Sequence, residues 1–395
     1  MNLNKNVLKM TGPIYPFLFC LFLLFGVKTS TLKAQEILAD KNATPQTKAL
    51  YRYLFDIQQS GKILLGHHDA LAYGHGWKDE LGRSDVKEVT GSHPAVCSMD
   101  FGKIEHKNSN NINGIPFDKM REIIRYAHKR GQVIMMCWHV DNPKTHTAGS
   151  RYPVGTSWDN SDNAVVREIL QEESPLNLKF KGWLDNLAEY IHTLTDDGGN
   201  PIPFIFRPWH EHTQGWNWWG SKCATDEEFI DLWKFTIRYL RDQKGIHHMI
   251  YAISPQMDHV YPNVRERLLY RWPGDNEVDF IGVDCYHGRN KEAFASNVKG
   301  LSALSEEKGK PCGVTETGIE SVNYPTYFTE EILPVLEKNH ISMIVFWRND
   351  SRSQTHFYIP FKGHSAEADF LKFVQSPGIL LEKDMPKRLL VHGNY

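Results

Sequence analysis

Apolar residues in this chain recur in short blocks that each finish in polar side chains. The blocks occupy residues 63–69, 93–101, 132–139, 203–211, 248–254, 279–286, 311–318 and 341–350; they are rich in β-branched and aromatic residues and have the length of strands. Segments 117–130, 183–195, 226–243, 264–272, 292–308 and 329–338 instead place apolar residues at helical spacing. Strands that alternate with helices in this way predict the α/β class and a (β/α)8 TIM barrel formed by one domain over residues 35–395. The polar ends support the same topology. His67-His68-Asp69, Asp100, Trp138-His139, His210-Glu211, Asp284-Cys285-Tyr286, Glu316 and Trp347-Arg348-Asn349-Asp350 all fall where such barrels carry their active sites. Residues 140–174, with Pro143, Gly149, Pro153 and Gly155, form an insertion after the third strand that walls one side of a cleft.

Composition narrows the partners. The 395 residues carry a formal net charge of −2 and are 12% aromatic, with 11 Trp, so a neutral ligand with faces for stacking fits better than nucleic acid. Many tryptophans stand near strand ends, which favours sugar stacking. Lys5 and Lys9 precede an apolar run over residues 16–27, and small or polar residues follow, so residues 1–34 are expected to be a secretory signal peptide with cleavage after Ala34. The run is short for a membrane span, and Cys20 after Phe19 lacks the small neighbour of a lipoprotein site. Export follows, to the periplasm or beyond. Cys97, Cys137, Cys223, Cys285 and Cys312 are odd in number and mostly sit in apolar runs, so they read as buried thiols without a disulfide framework.

The chemistry concentrates in two blocks. Residues 203–211 run from an apolar strand into Arg207, Trp209, His210 and Glu211, with Trp216, Trp218 and Trp219 just beyond; residues 311–318 end in a second carboxylate, Glu316. On this strand count Glu211 ends the fourth strand and Glu316 the seventh, on opposite walls of the barrel mouth. Two carboxyls about 5 Å apart would cleave a glycosidic bond with retention, one as nucleophile and the other as acid and then base. A rival reading takes His67-His68-Asp69 as the start of a metal site completed by His139, His210 and Asp284, but it leaves Glu316 and the tryptophans without roles. No metal or cofactor is expected.

Arg207-Pro208-Trp209-His210-Glu211 with Trp216-Asn217-Trp218-Trp219-Gly220, the run from Gly66 to Gly74, Trp138-His139 and Thr315-Glu316-Thr317-Gly318 resemble glycoside hydrolase family 26, over the whole of residues 35–395. Relatives in the wider clan carry Asn before the acid/base; His210 at that position is the pattern of this family. The resemblance implies a retaining β-1,4-mannanase without cofactor, acting on mannan, glucomannan, galactomannan or manno-oligosaccharides, either internally or by releasing mannobiose. It implies Glu211 as acid/base and Glu316 as nucleophile. It further implies Arg207 and Tyr286 against the nucleophile, His139 and His210 on sugar hydroxyls, Trp347 as the floor of the reactive subsite, and Trp158 and Trp216 on the leaving-group side. Family relatives acting on β-1,3-xylan or mixed-linkage β-glucan, and a non-catalytic glycan-binding barrel, are the alternatives.

Overall fold

The structure, a computed structural model, describes residues 38–386. The expected signal peptide therefore lies outside the described residues. Eight parallel strands close into a barrel: β1 (Ile63–His68), β2 (Val96–Asp100), β3 (Val133–Cys137), β4 (Phe204–Arg207), β5 (Met249–Ile253), β6 (Phe280–Cys285), β7 (Cys312–Thr317) and β8 (Met343–Phe346). Each pairs with the next, and β8 returns to β1 with Met343 opposite Leu64. A two-residue strand, β9 (Ile379–Leu380), adds to the outer side of β1. Each of the eight barrel strands falls inside one apolar block of the sequence.

Two-residue alternation sorts each strand into an inner and an outer set. Leu64, Val96, Met135, Ile205, Ile250 and Val345 point inward and pack as one cluster with Leu50 and Leu54 of helix α1 (Pro45–Gln59). This helix starts sharply because Thr44 accepts the Thr47 N–H and Pro45 needs no donor partner. The outward residues, such as Met136 and Phe206 on one side and Val283 and Ile344 on the other, pack beneath the surrounding helices.

Those helices are α2 (Asp85–Thr90), α3 (Phe117–Lys129), α4 (Val165–Leu170), α5 (Pro175–Ile191), α6 (Asp226–Arg238), α7 (Val264–Leu268), α8 (Lys291–Lys308), α9 (Leu333–Leu336) and α10 (Glu367–Val374). Helix α5 begins eight residues before the predicted 183, because Ser174 caps it, Pro175 fits the first turn, and Leu176 and Phe180 extend its buried stripe. α1, α2, α4 and α10 add to the six periodic segments. Helix α4 is six residues long, too short to be stable alone, and forms inside the 140–174 insertion because Val165, Val166 and Ile169 bury against α5 and α6. The five described cysteines are buried free thiols, as their apolar settings predict.

Gly66 lies on the inner face of β1, where a Cβ would stand 2.7 Å from Val345 Cγ2 and 3.0 Å from Val96 Cβ. The barrel interior has no room for a methyl group there. Gly66→Ala is expected to cost about 1–3 kcal/mol through overpacking, read as a lowered thermal midpoint; an unchanged midpoint would show that the interior relaxes at no cost.

Candidate active site

Arg207 is the last residue of β4, points inward and is fully buried. Its Nη1 donates to Asp284 Oδ2 at 2.6 Å and to Ser254 Oγ at 2.9 Å, while its Nη2 donates to Glu316 Oε1. One guanidinium thus holds carboxylates from β6 and β7. Tyr286, just beyond β6, donates its hydroxyl to the other Glu316 oxygen at 3.0 Å. Burial holds the Tyr286 phenol well above its ordinary pKa, so it stays a donor.

Alternation alone would turn Glu316 outward with Cys312 and Val314, which belong to the outer packing layer. A bulge prevents this. Val283 pairs with Val314 but Asp284 with Glu316, and Ile344 pairs with Val314 but Phe346 with Thr317. β7 therefore carries one residue more than either neighbour at this point, and the extra residue swings Glu316 back over the barrel mouth.

Glu211 reaches the same mouth from the turn after β4. Trp209 and Glu211 both adopt left-handed φ, 54° and 56°, with His210 between them, and the Glu211 N–H is fixed to Ser254 O at 2.8 Å. Such geometry costs on the order of 1–3 kcal/mol per residue and persists only where the surroundings enforce it. Here they do. Trp209 is buried against Trp138, Trp218 and Trp219; Trp219 Nε1 donates to His210 O at 2.9 Å; and the buried Arg271 guanidinium donates to the carbonyls of His212, Trp219 and Ala224. Trp218 and Trp219, expected as part of a sugar-facing cluster, are fully buried supports of this turn. Their polar N–H groups are spent on backbone carbonyls, and their rings fill the space between the turn and the insertion. Trp216 is 37% exposed and donates Nε1–H to Glu211 Oε2 at 2.8 Å.

One oxygen each of Glu211, Asp284 and Glu316 lies within 4.8 Å of the others. Three carboxyls share one cation, and that cation contacts only two of them. Burial, with the charges of Glu316 and Asp284 added, pushes Glu211 well above the usual carboxylate range. The arrangement therefore sets a Glu211 whose surroundings favour its protonated form against a Glu316 bonded by Arg207 and Tyr286, two carboxyls in unlike environments.

Behind Glu211 runs a polar chain. Asp100 at the end of β2 contacts His139 Nδ1 and also accepts the N–H groups of Gly102 and His139 at 2.6 and 3.1 Å. Burial alone would raise this carboxyl, but the His139 charge and hydrogen bond outweigh it and hold Asp100 well below the usual range. His139 Nε2 lies 3.0 Å from His210 Nε2, so one of the two donates and the other accepts, and His210 Nδ1 is left without a partner. Burial, then the neighbouring His139 and Arg207, keeps His210 neutral. Trp158 in the insertion is half-buried with its ring 5.3 Å from His139, and Trp347 beyond β8 stacks on His68 at 4.4 Å.

All nine residues singled out from the sequence thus stand at the C-terminal rim of the barrel. Asp284 was visible as a polar strand end and as a ligand of the rival metal reading, Asp100 only as a polar strand end, and Ser254 and Thr315 not at all. Thr315 Oγ1 donates to Asp284 Oδ1 at 2.7 Å and completes the cradle around that carboxylate. For Asp100, Ser254 and Asp284 the signal was inward parity: each lies an even number of positions from an inner-packing residue of its own strand, Val96, Ile250 and Phe280. His67-His68-Asp69 does not converge with His139, His210 and Asp284 on one point. His68 Nδ1 is bonded to Ser98, and Asp69 Oδ2 accepts from Tyr73 and Asn113. His106, Asp141 and His146 do cluster, but the two imidazoles stack at 3.9 Å with 13° between their planes, so their lone pairs run side by side. Lys103 also occupies both Asp141 oxygens, at 2.6 and 2.7 Å.

Residues 39–325 match the model of glycosyl hydrolase family 26, and the chain belongs to that family. It is similar to the structure of a GH26 β-mannanase from Bacteroides ovatus, with a TM-score of 0.82 and 36% identity, covering 89% of this chain and 99% of that one. The catalytic domain of a GH26 endo-β-1,4-mannanase from Bacillus sp. JAMB-750 gives a TM-score of 0.78 at 28% identity, covering 90% and 96%. Among curated proteins, a mannan endo-1,4-β-mannosidase of Bifidobacterium adolescentis is 28% identical over 88% of this chain, which spans 36% of that protein's length. A mannan endo-1,4-β-mannosidase of Bacillus subtilis strain 168 is 25% identical over 71% of this chain and 73% of its own.

The raised Glu211 has a thermodynamic signature. Near pH 4 the folded wild-type chain holds the proton and the unfolded one holds it in about two-thirds of molecules, since an unfolded glutamate titrates near 4.3. As pH rises, the unfolded chain ionises first and wild-type stability falls until the folded carboxyl also ionises. Glu211→Gln removes that loss, so its advantage in thermal midpoint over wild type should widen from pH 4 to pH 8. A gap that narrows with pH means that Glu211 is ionised in the native state.

Proposed function

We propose that this family 26 glycosidase hydrolyses internal β-1,4-mannosidic bonds of mannan, glucomannan, galactomannan or manno-oligosaccharides with retention of configuration. The observation that carries the reading is the facing pair Glu211 and Glu316, within 4.8 Å at the barrel mouth and held in unlike surroundings. The activity named for the similar Bacteroides, Bacillus and Bifidobacterium proteins supports the substrate class.

In this mechanism Glu211 gives its proton to the glycosidic oxygen as the bond to the anomeric carbon breaks, and Glu316 attacks that carbon from the opposite face. Arg207 and Tyr286 hold the Glu316 carboxylate so that one oxygen is presented to the sugar. Water then displaces the glycosyl group from Glu316, with Glu211 taking the water's proton. Trp216 steers the Glu211 carboxyl through its N–H and offers its exposed ring to the departing sugar. Trp347 floors the reactive subsite, and the Asp100–His139–His210 chain orients the ring nitrogens beside it.

Export through a signal peptide over residues 1–34 is part of the same proposal, supported by the basic, apolar and small-residue order of that segment. Among the described residues no helix is long and apolar enough to cross a membrane. Amino-terminal sequencing of the protein recovered outside the cytoplasm should begin at Gln35; an intact Met1 there would remove this part.

Two measurements test the catalytic reading. Mannohexaose and galactomannan, followed by chromatography, should give a spread of oligosaccharides from the first time points, whereas mannobiose alone would replace internal cleavage by end-wise release. Glu316→Ala should lose on the order of 10⁴-fold or more in kcat while the chain stays folded. Glu211→Ala should lose roughly 10²–10⁴-fold on mannan and far less on an aryl mannobioside whose leaving group needs no proton; equal losses on both would remove Glu211 from the acid role.

A further inference from the structure

Tyr152 lies in the 140–174 insertion and is 73% exposed, the largest exposure among the big apolar side chains of the described residues. Its ring is not isolated. It meets Trp158 edge to face at 5.5 Å, and Trp158 in turn lies 5.3 Å from His139. Exposure rises along this series, from the buried His139 through the half-buried Trp158 to Tyr152, so the rings lead from the reactive centre out to solvent.

The series lies on the leaving-group side. The residues flanking Trp158 bind the loop that carries Trp216: Ser157 O accepts from Trp218 N–H at 3.1 Å, and Asn160 Nδ2 donates to Gly215 O at 2.7 Å. Trp216 is itself bonded to Glu211, the proposed proton donor to the departing sugar.

The insertion is built to hold its tip in place. Asp159 is buried; its Oδ2 accepts from Gly155 N–H and Thr145 Oγ1, both at 2.7 Å, and its Oδ1 accepts from Ser161. The two limbs touch at Gly155, where φ is 69° and a Cβ would stand 2.2 Å from Ser150 Oγ. Glycine is required at that crossing. An exposed aromatic ring on a braced loop costs little to order when a ligand arrives.

We propose that Tyr152 forms a distal subsite on the leaving-group side, one position beyond Trp158, that stacks a hexopyranose unit of the β-1,4-linked backbone. This rests on the reading of the chain as a mannan hydrolase. Contact with a remote, non-reacting sugar contributes to kcat/KM only for substrates long enough to reach it. A short aryl mannobioside ends before Tyr152.

The test compares kcat/KM for mannohexaose and for 4-nitrophenyl β-mannobioside in wild type, Tyr152→Ala and Tyr152→Phe. Tyr152→Ala should lose about 5-fold on mannohexaose and nothing on the aryl substrate, and Tyr152→Phe, which keeps the ring, should restore the mannohexaose value. The same effect of Tyr152→Ala on both substrates, no effect on either, or a Phe variant as poor as the Ala variant would overturn the subsite. A wild-type protein that leaves mannohexaose uncut would overturn the mannan reading itself, and the subsite with it.

Discussion

The buried guanidinium of Arg207 is the interaction on which the site depends. It carries the charge that lets two carboxyl groups, those of Asp284 and Glu316, sit side by side at the top of an apolar-filled barrel. A buried ion pair is a weak source of net stability, because desolvation offsets most of the attraction. Its value here is positional. Arg207 bonds Asp284 and Glu316 but not Glu211, so burial and the charges of Glu316 and Asp284 prevail at Glu211 and hold it well above the usual carboxylate range, while burial and the Glu316 charge also push Asp284 up to about 7. The two facing glutamates are thus distinguished by which of them the arginine reaches.

A second dependence runs through the tryptophans. Trp209, Trp218 and Trp219 pack at ring-centroid distances of 5.3–5.5 Å, and this cluster supports the left-handed turns at Trp209 and Glu211. The cluster also ties the insertion to the acid-bearing turn, because Trp218 Nε1 donates to Val140 O at 3.0 Å. Packing energy from buried indoles is in this way converted into the fixed position of one carboxyl. Trp216, in the same run of sequence, was left at the surface and can face a sugar.

Much of this was legible in the chain. The eight apolar blocks gave the eight strands, since a strand buried on both faces must be apolar along its length and must end where the polar residues begin. Glu211 and Glu316 stood out as carboxylates at strand ends, and Arg207, His139, His210 and Tyr286 stood out with them. The division of the tryptophans was not legible. Trp216 and Trp218 are two residues apart with similar neighbours, and only the path of the loop buries one and exposes the other. Helices α2 and α4 were equally hidden, because six residues carry too little periodic signal and form only when packed against neighbours.

The sequence by itself determined the barrel, the rim on which the site lies and the two carboxyls that face each other there. These follow from local pattern, which each segment carries whatever the rest of the chain does. Tertiary structure alone decided that Glu316 faces the mouth, because strict alternation would turn it outward and a bulge against β6 and β8 reverses it. It alone decided that Glu211 is held above the usual carboxylate range, since that depends on its burial and on how one guanidinium is shared among groups from β4, β6 and β7. Side-chain direction at a bulge and charge sharing in a buried site are properties of contacts between segments distant in sequence.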